Sequence, residues 1–285
     1  MLDSLLVHSD DPVVVHFLHD RDADQSDLAR LATMLGAREE AEIRFVDVPD
    51  ELLRGLPTEG FTGKATWFRT FLPDLLGELD RVLALDVDLI IADSLRPLWN
   101  LDLGSHLLAA VTNVLAPAYM GRPWDLGLLP HEYFNAGVML MNLEAMRFEG
   151  SAETIRRYAV EHADELVLRD QDALNFVLAS RRLALDPRWN LMNAFSVYPW
   201  SAYAFSPEAL AEAAAAPAVR HFEGPDRNKP WHRQADPESR ALYAGHRRRT
   251  PWPDNWLEGE SVAPRSRVRA GLAAARRRLR GRPPR

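Results

Sequence analysis

The sequence predicts an α/β protein with one main domain, in which a mixed, mostly parallel sheet is flanked by helices. Three observations lead there. Short apolar runs alternate with helical stretches along most of the chain, no internal repeat interrupts them, and a pair of acids closes one apolar run, where such sheets keep their ligands. The 285 residues, 47% hydrophobic and 26% charged, are enough for one large core.

Residues 13–18 are apolar apart from His16 and read as a strand. A helix follows, capped by Asp24 or Ser26, with Leu28, Leu31 and Leu35 as its buried stripe and Gly36 at its end. Residues 42–48 alternate around Ile43, Phe45 and Val46 as a second strand. Further short strands are expected at 81–85, 107–111, 137–142 and 183–185, with helical stretches at 66–76, 152–162 and 172–178. Proline-rich breaks around Pro117, Pro123 and Pro130, around Pro225, Pro230 and Pro237, and at Pro251 and Pro253 mark loops. The alanine-rich run 209–218 reads as a surface helix. A linker begins near Glu258, so the domain is expected to span 1–258 and a tail 259–285.

Charge is distributed unevenly. Nine arginines and no acids lie between Arg265 and Arg285, so a formal charge of −7 leaves about −16 on the rest. An acidic body repels nucleic acid, and none is expected as a partner. In the tail Val268, Leu272, Ala275 and Leu279 follow helical spacing between arginines, the pattern of a basic amphipathic helix suited to an anionic membrane surface; the alternative is a disordered tail that adds solubility. The lack of cysteine removes disulfides, thiolate zinc sites and cysteine nucleophiles. No apolar stretch reaches the roughly 18–20 residues that span a bilayer, and Met1-Leu2-Asp3-Ser4 has no basic leader region, so a cytoplasmic protein, peripheral at the inner face of the plasma membrane, is expected.

Asp86-Val87-Asp88 carries the first chemical signal. Strand alternation turns residues i and i+2 to one side, so both carboxylates can face a single hard cation, and a cation bound to a diphosphate is the natural use. A turn in which the aspartates accept from nearby amides is the alternative. Rival signatures fail: there is no G-x-G-x-x-G, G-x-S-x-G or H-E-x-x-H, and Gly60, Gly63 and Lys64 lack phosphate-loop spacing, with Ala65 where a hydroxyl should bind magnesium.

Five segments in order resemble glycosyltransferase family 8, the retaining, nucleotide-sugar-dependent enzymes that include bacterial lipooligosaccharide galactosyltransferases and glycogenin. They are Thr66-Trp67-Phe68-Arg69, residues 85–90 around Asp86 and Asp88, residues 134–142 with Asn135, Ala136 and Gly137, Asp170-Gln171-Asp172-Ala173-Leu174-Asn175, and His221-Phe222-Glu223-Gly224 with Lys229-Pro230-Trp231. The resemblance implies a GT-A fold and a transfer of glucose or galactose from a UDP-sugar to a glycan or lipid-linked acceptor. It implies Mn2+, or Mg2+ instead, on Asp86, Asp88 and His221, a mixed oxygen and nitrogen set that suits manganese better. Arg69, Val87, Asn135, Ala136, Gly137, Gly224 and Lys229 would line the donor site. Asp170 and Gln171 would face the donor sugar, although Asp170 taken alone reads as a helix N-cap.

Two departures qualify the resemblance. The family opens with a strand whose loop holds uridine, and no such strand is legible here: residues 2–8 look like the helix after it and 13–18 like the second family strand, so either the start is misplaced or the fold compensates. Omitting a central strand leaves unpaired backbone groups, at about 1–3 kcal/mol each if buried. Asn113 stands where relatives that handle galactose or glucose often have Asp. These departures motivate the alternative of a non-catalytic sugar-nucleotide binder or scaffold. A nucleotidyltransferase would need a glycine-rich basic N-terminal loop, and none is visible.

Overall fold

The computed structural model describes residues 1–59, 63–252 and 257–259. The basic tail 265–285 lies outside the described residues. Nine strands are described: β1 (Val13–His19), β2 (Ala41–Asp47), β3 (Arg81–Leu85), β4 (Leu89–Ile91), β5 (Leu108–Thr112), β6 (Phe134–Asn142), β7 (Arg182–Leu185), β8 (Leu191–Met192) and β9 (Val219–His221). They form a β1-β2 pair, a four-stranded sheet ordered β3-β6-β5-β7 and a three-stranded sheet ordered β4-β9-β8.

The sheets are mixed, as expected, but not mostly parallel. β6 runs antiparallel to both β3 and β5, and β4 antiparallel to β9; β1-β2, β5-β7 and β8-β9 are parallel. Local apolar patterns carry no strand direction, and the long return from β5 through residues 113–133 brings β6 back the other way.

The central sheet is covered on both faces, and the period of two sorts its side chains. Leu108 and Ala110 of β5 with Met139 and Met141 of β6 join one core cluster, against Ile155, Leu174 and Trp67. Ala109 and Val111 with Val138 and Leu140 join the other, against Leu98, Phe195 and Ile91. β3 follows suit, with Val82 and Ala84 on the first side and Leu83 and Leu85 on the second.

The expected first helix at 25–36 is present, and Asp24 caps it by accepting from the Ser26 amide. The stretch 66–76 is not one α-helix: a 3₁₀ segment Lys64–Phe71 precedes a single α turn, Leu72–Leu75, entered at Pro73. Lys64 is occupied by Asp20 at 3.0 Å and Asp22 at 2.7 Å, which agrees with the rejection of a phosphate loop.

Among the described residues β1 pairs only with β2, and β3 only with β6. The β1-β2 pair touches the core through Leu18 and Val46, while Val14 is 47% exposed. Among the described residues no helix is long and apolar enough to cross a membrane.

Candidate active site

The turn at 86–88 carries the chain from one sheet to the other. The Asp86 amide donates to the Gly137 carbonyl at 2.9 Å, continuing the β3-β6 ladder by one residue, and the Phe222 amide donates to the Asp88 carbonyl at 3.1 Å. β4 then pairs with β9, Leu89 opposite His221. Three segments distant in sequence therefore meet at this turn.

Asp86, Asp88 and His221 each offer one ligand atom, and the three atoms lie within 4.8 Å of one another. His221 Nε2 is 3.3 Å from Asp88 Oδ1 and 3.9 Å from Asp86 Oδ2. The imidazole is 2% exposed, whereas Val87, between the acids, is 70% exposed. Burial works against the His221 imidazolium, but the hydrogen bond and charge of Asp88, with the charge of Asp86, raise its pKa overall. Burial likewise disfavours ionised Asp88, and His221 and Lys229 outweigh it, holding that carboxyl well below the usual range.

Two cations flank the acids. Arg69 pairs with Asp86 at 2.5 Å and Asp170 at 3.3 Å and donates to the Ala136 carbonyl. Lys229 donates to Asp88 and, at 2.9 Å, to the Phe222 carbonyl. Gly224 takes φ +89, a turn open to glycine, in the loop that returns Lys229 to the acids.

Gly137 is required here for space. A Cβ on it would overlap the His221 ring and sit 2.9 Å from both Asn135 Oδ1 and Asp86 Oδ2. Asn135 is buried, and its Oδ1 accepts from the Gly137 amide at 2.9 Å. Gln171 is held at both ends: Oε1 accepts from the Ala136 amide at 3.1 Å and Asn135 Nδ2 at 3.3 Å, and Nε2 donates to the Tyr133 hydroxyl at 3.3 Å.

Asp170 is the first residue of helix Asp170–Leu178, not its cap; the cap position is Arg169, at φ 52. Burial pushes the Asp170 carboxyl up to about 6 despite the opposing charge of Arg69. Asn113 lies one residue beyond β5, buried, with its carbonyl accepting from the Tyr203 hydroxyl at 3.2 Å. The site residues expected from the sequence thus lie in one region, linked by the contacts above, except Gly224, which shapes the loop to Lys229, and Val87, which projects outward.

Sequence reasoning missed the supports. Asp172, fully buried, accepts from Arg122 Nε at 2.8 Å, the Tyr133 hydroxyl at 2.6 Å and the Leu168 amide at 2.7 Å. Asn175 bonds both the amide and the carbonyl of Phe134. Asp172 and Asn175 stood inside a recognised segment and could have been singled out; Arg122, Tyr133 and Asn190 carried no local signal.

A mixed α/β fold with an acid pair at a strand end, an imidazole brought to it from a distant strand, and a loop lysine held on one of the acids is the arrangement of a GT-A glycosyltransferase. The chain belongs to glycosyl transferase family 8, whose family model matches residues 2–235. It is 28% identical over 217 residues to general stress protein A of Bacillus subtilis (strain 168), covering 74% of each chain. It is 30% identical over 192 residues to the lipopolysaccharide 1,3-galactosyltransferase of Salmonella typhimurium, covering 64% of this chain and 53% of that protein. The crystal structure of galactosyltransferase LgtC with donor and acceptor sugar analogs superposes with TM-score 0.70 at 24% identity, over 90% of this chain and 99% of that one.

Proposed function

We propose that the protein transfers a hexose, glucose or galactose, from a UDP-sugar to a glycan or lipid-linked acceptor with retention, aided by Mn2+ or Mg2+ on Asp86, Asp88 and His221. The convergence of these three side chains within 4.8 Å carries the reading. Two carboxylate oxygens and one imidazole nitrogen fit a divalent cation of intermediate hardness, and Gly137, lacking a Cβ, lets His221 and Asp86 pack together over its backbone. When bound, such an ion supplies Lewis-acid stabilisation of the departing diphosphate.

The remaining roles fall to the chain's own groups. Lys229 is placed to pair with phosphate oxygens, and Arg69 balances the charge of Asp86 and Asp170 at the sugar side. Asn135, Ala136 and Gly137 line the approach with small or amide groups, and Val87 offers an exposed apolar surface to the nucleotide. Gln171, an amide held by β6, is a poor nucleophile and serves to position the sugar with Asp170.

The test is UDP release from UDP-glucose and UDP-galactose with and without Mn2+. Asp88→Ala should lose the metal-dependent rate by about a hundredfold or more; unchanged turnover refutes the assignment. The arginine-rich stretch 265–285 supports reversible docking on an anionic membrane at the cytoplasmic face, each arginine contributing up to about 1 kcal/mol before screening. If a chain ending at Glu258 binds anionic vesicles as well as the full chain, that docking is wrong.

A further inference from the structure

Asn190 is fully buried between the cation site and the sugar-facing strand, and both ends of its amide are engaged. It ends a 3₁₀ turn, Pro187–Asn190, which Asp186 caps by accepting from the Arg188 amide, and it directly precedes β8. β8 runs parallel to β9 with Met192 opposite His221, so the pairing brings Asn190 beside the imidazole.

The orientation of each group follows from one backbone donor. The Gly137 amide can only donate, so the Asn135 atom it meets at 2.9 Å is the carbonyl Oδ1. That oxygen takes its second donor, Asn190 Nδ2, at 2.8 Å. With its nitrogen committed there, Asn190 turns its own oxygen to His221 Nδ1, also at 2.8 Å. An acceptor at that place requires hydrogen on Nδ1. Nε2 is then the ring atom aimed at Asp88 and Asp86, at 3.3 Å and 3.9 Å.

We propose that Asn190 is the positioning residue of the cation site: it holds His221 as the Nδ1–H tautomer, with Nε2 presented to the ion, and ties that ring to Asn135 on the sugar side. The inference rests on the cation reading above. Hydrogen-bond partners on the far nitrogen of a ligating imidazole fix its tautomer and raise its basicity, and their loss typically costs 10–100-fold in metal affinity.

The experiment is titration of the full chain with Mn2+ alone, free Mn2+ being read by electron paramagnetic resonance, for wild type, Asn190→Ala and Asn190→Asp. Asn190→Ala removes both links and should bind Mn2+ about 10–100-fold more weakly. Asn190→Asp keeps an acceptor for Nδ1–H but sets a carboxylate oxygen against Asn135 Oδ1. It should therefore keep Mn2+ affinity at the wild-type level or above while raising the KM for the UDP-sugar. A merely structural role would not separate the two variants. Wild-type Mn2+ affinity in a folded Asn190→Ala chain overturns the proposal. So does a tenfold or greater loss of Mn2+ affinity in Asn190→Asp, which decides the matter even if the alanine variant fails to fold. A wild-type chain that takes up no Mn2+ overturns the cation reading itself and the inference with it.

Discussion

Replacing Gly137 by alanine is the smallest change that should disable the site. The backbone there is not in the left-handed region, so alanine is conformationally acceptable and the whole effect is steric. The added carbon would overlap the His221 ring and reach 2.9 Å from Asp86 Oδ2, where ordinary contacts begin at 3.4 Å. His221 is 2% exposed and pinned from behind by Asn190, so Asp86, the more exposed partner, must move by roughly half an ångström or more while the ring is also strained. Overpacking of this kind costs about 1–3 kcal/mol, a few degrees to about ten in Tm for a domain of this size. Distorting two of three ligands should weaken Mn2+ binding at least about tenfold, equivalent to about 1.4 kcal/mol. Differential scanning calorimetry and Mn2+ titration measure the two effects. Unchanged Mn2+ affinity in Gly137→Ala refutes the steric argument.

Asp170 should impose a pH slope on stability. Its folded pKa, raised to about 6 from an ordinary 3.8, means that the folded chain still holds a proton which the unfolded chain has released. Stability is therefore lost as pH rises from about 4 to 6, by at most about 3 kcal/mol from this group. Asp170→Asn should flatten that window in urea unfolding at pH 4, 5, 6 and 7; an unaltered slope contradicts the assignment. Arg122→Met leaves Asp172 buried without its guanidinium and should destabilise the chain by about 3–5 kcal/mol, a loss readable as a lower urea midpoint. A shift under about 1 kcal/mol would show that the pair is not the anchor inferred from its burial.

Much of this was legible because it is local. The apolar run 81–85 and the Asp24 cap need only neighbouring residues, and both elements appear where expected. β4, β8 and β9 are two or three residues long and exist because of what pairs with them, so a period of two had no room to show. Asp86, Asp88 and His221 were found through their motif context, yet the geometry that joins them depends on a turn between sheets that no short pattern encodes. Asp170 allowed two readings, a helix cap and a sugar-facing acid: it opens the helix rather than capping it, and its carboxylate is buried against Arg69. Asn190 escaped notice because its partners stand 31 and 55 residues away in sequence.

Because Asp86 extends the four-stranded sheet and His221 belongs to the three-stranded one, an ion held by both would be a rivet between two separately hydrogen-bonded sheets. Loading such a rivet would do more than prepare a reaction: it would resist shear between those sheets. The same side chains would then also set how stiffly the two sheets are held together.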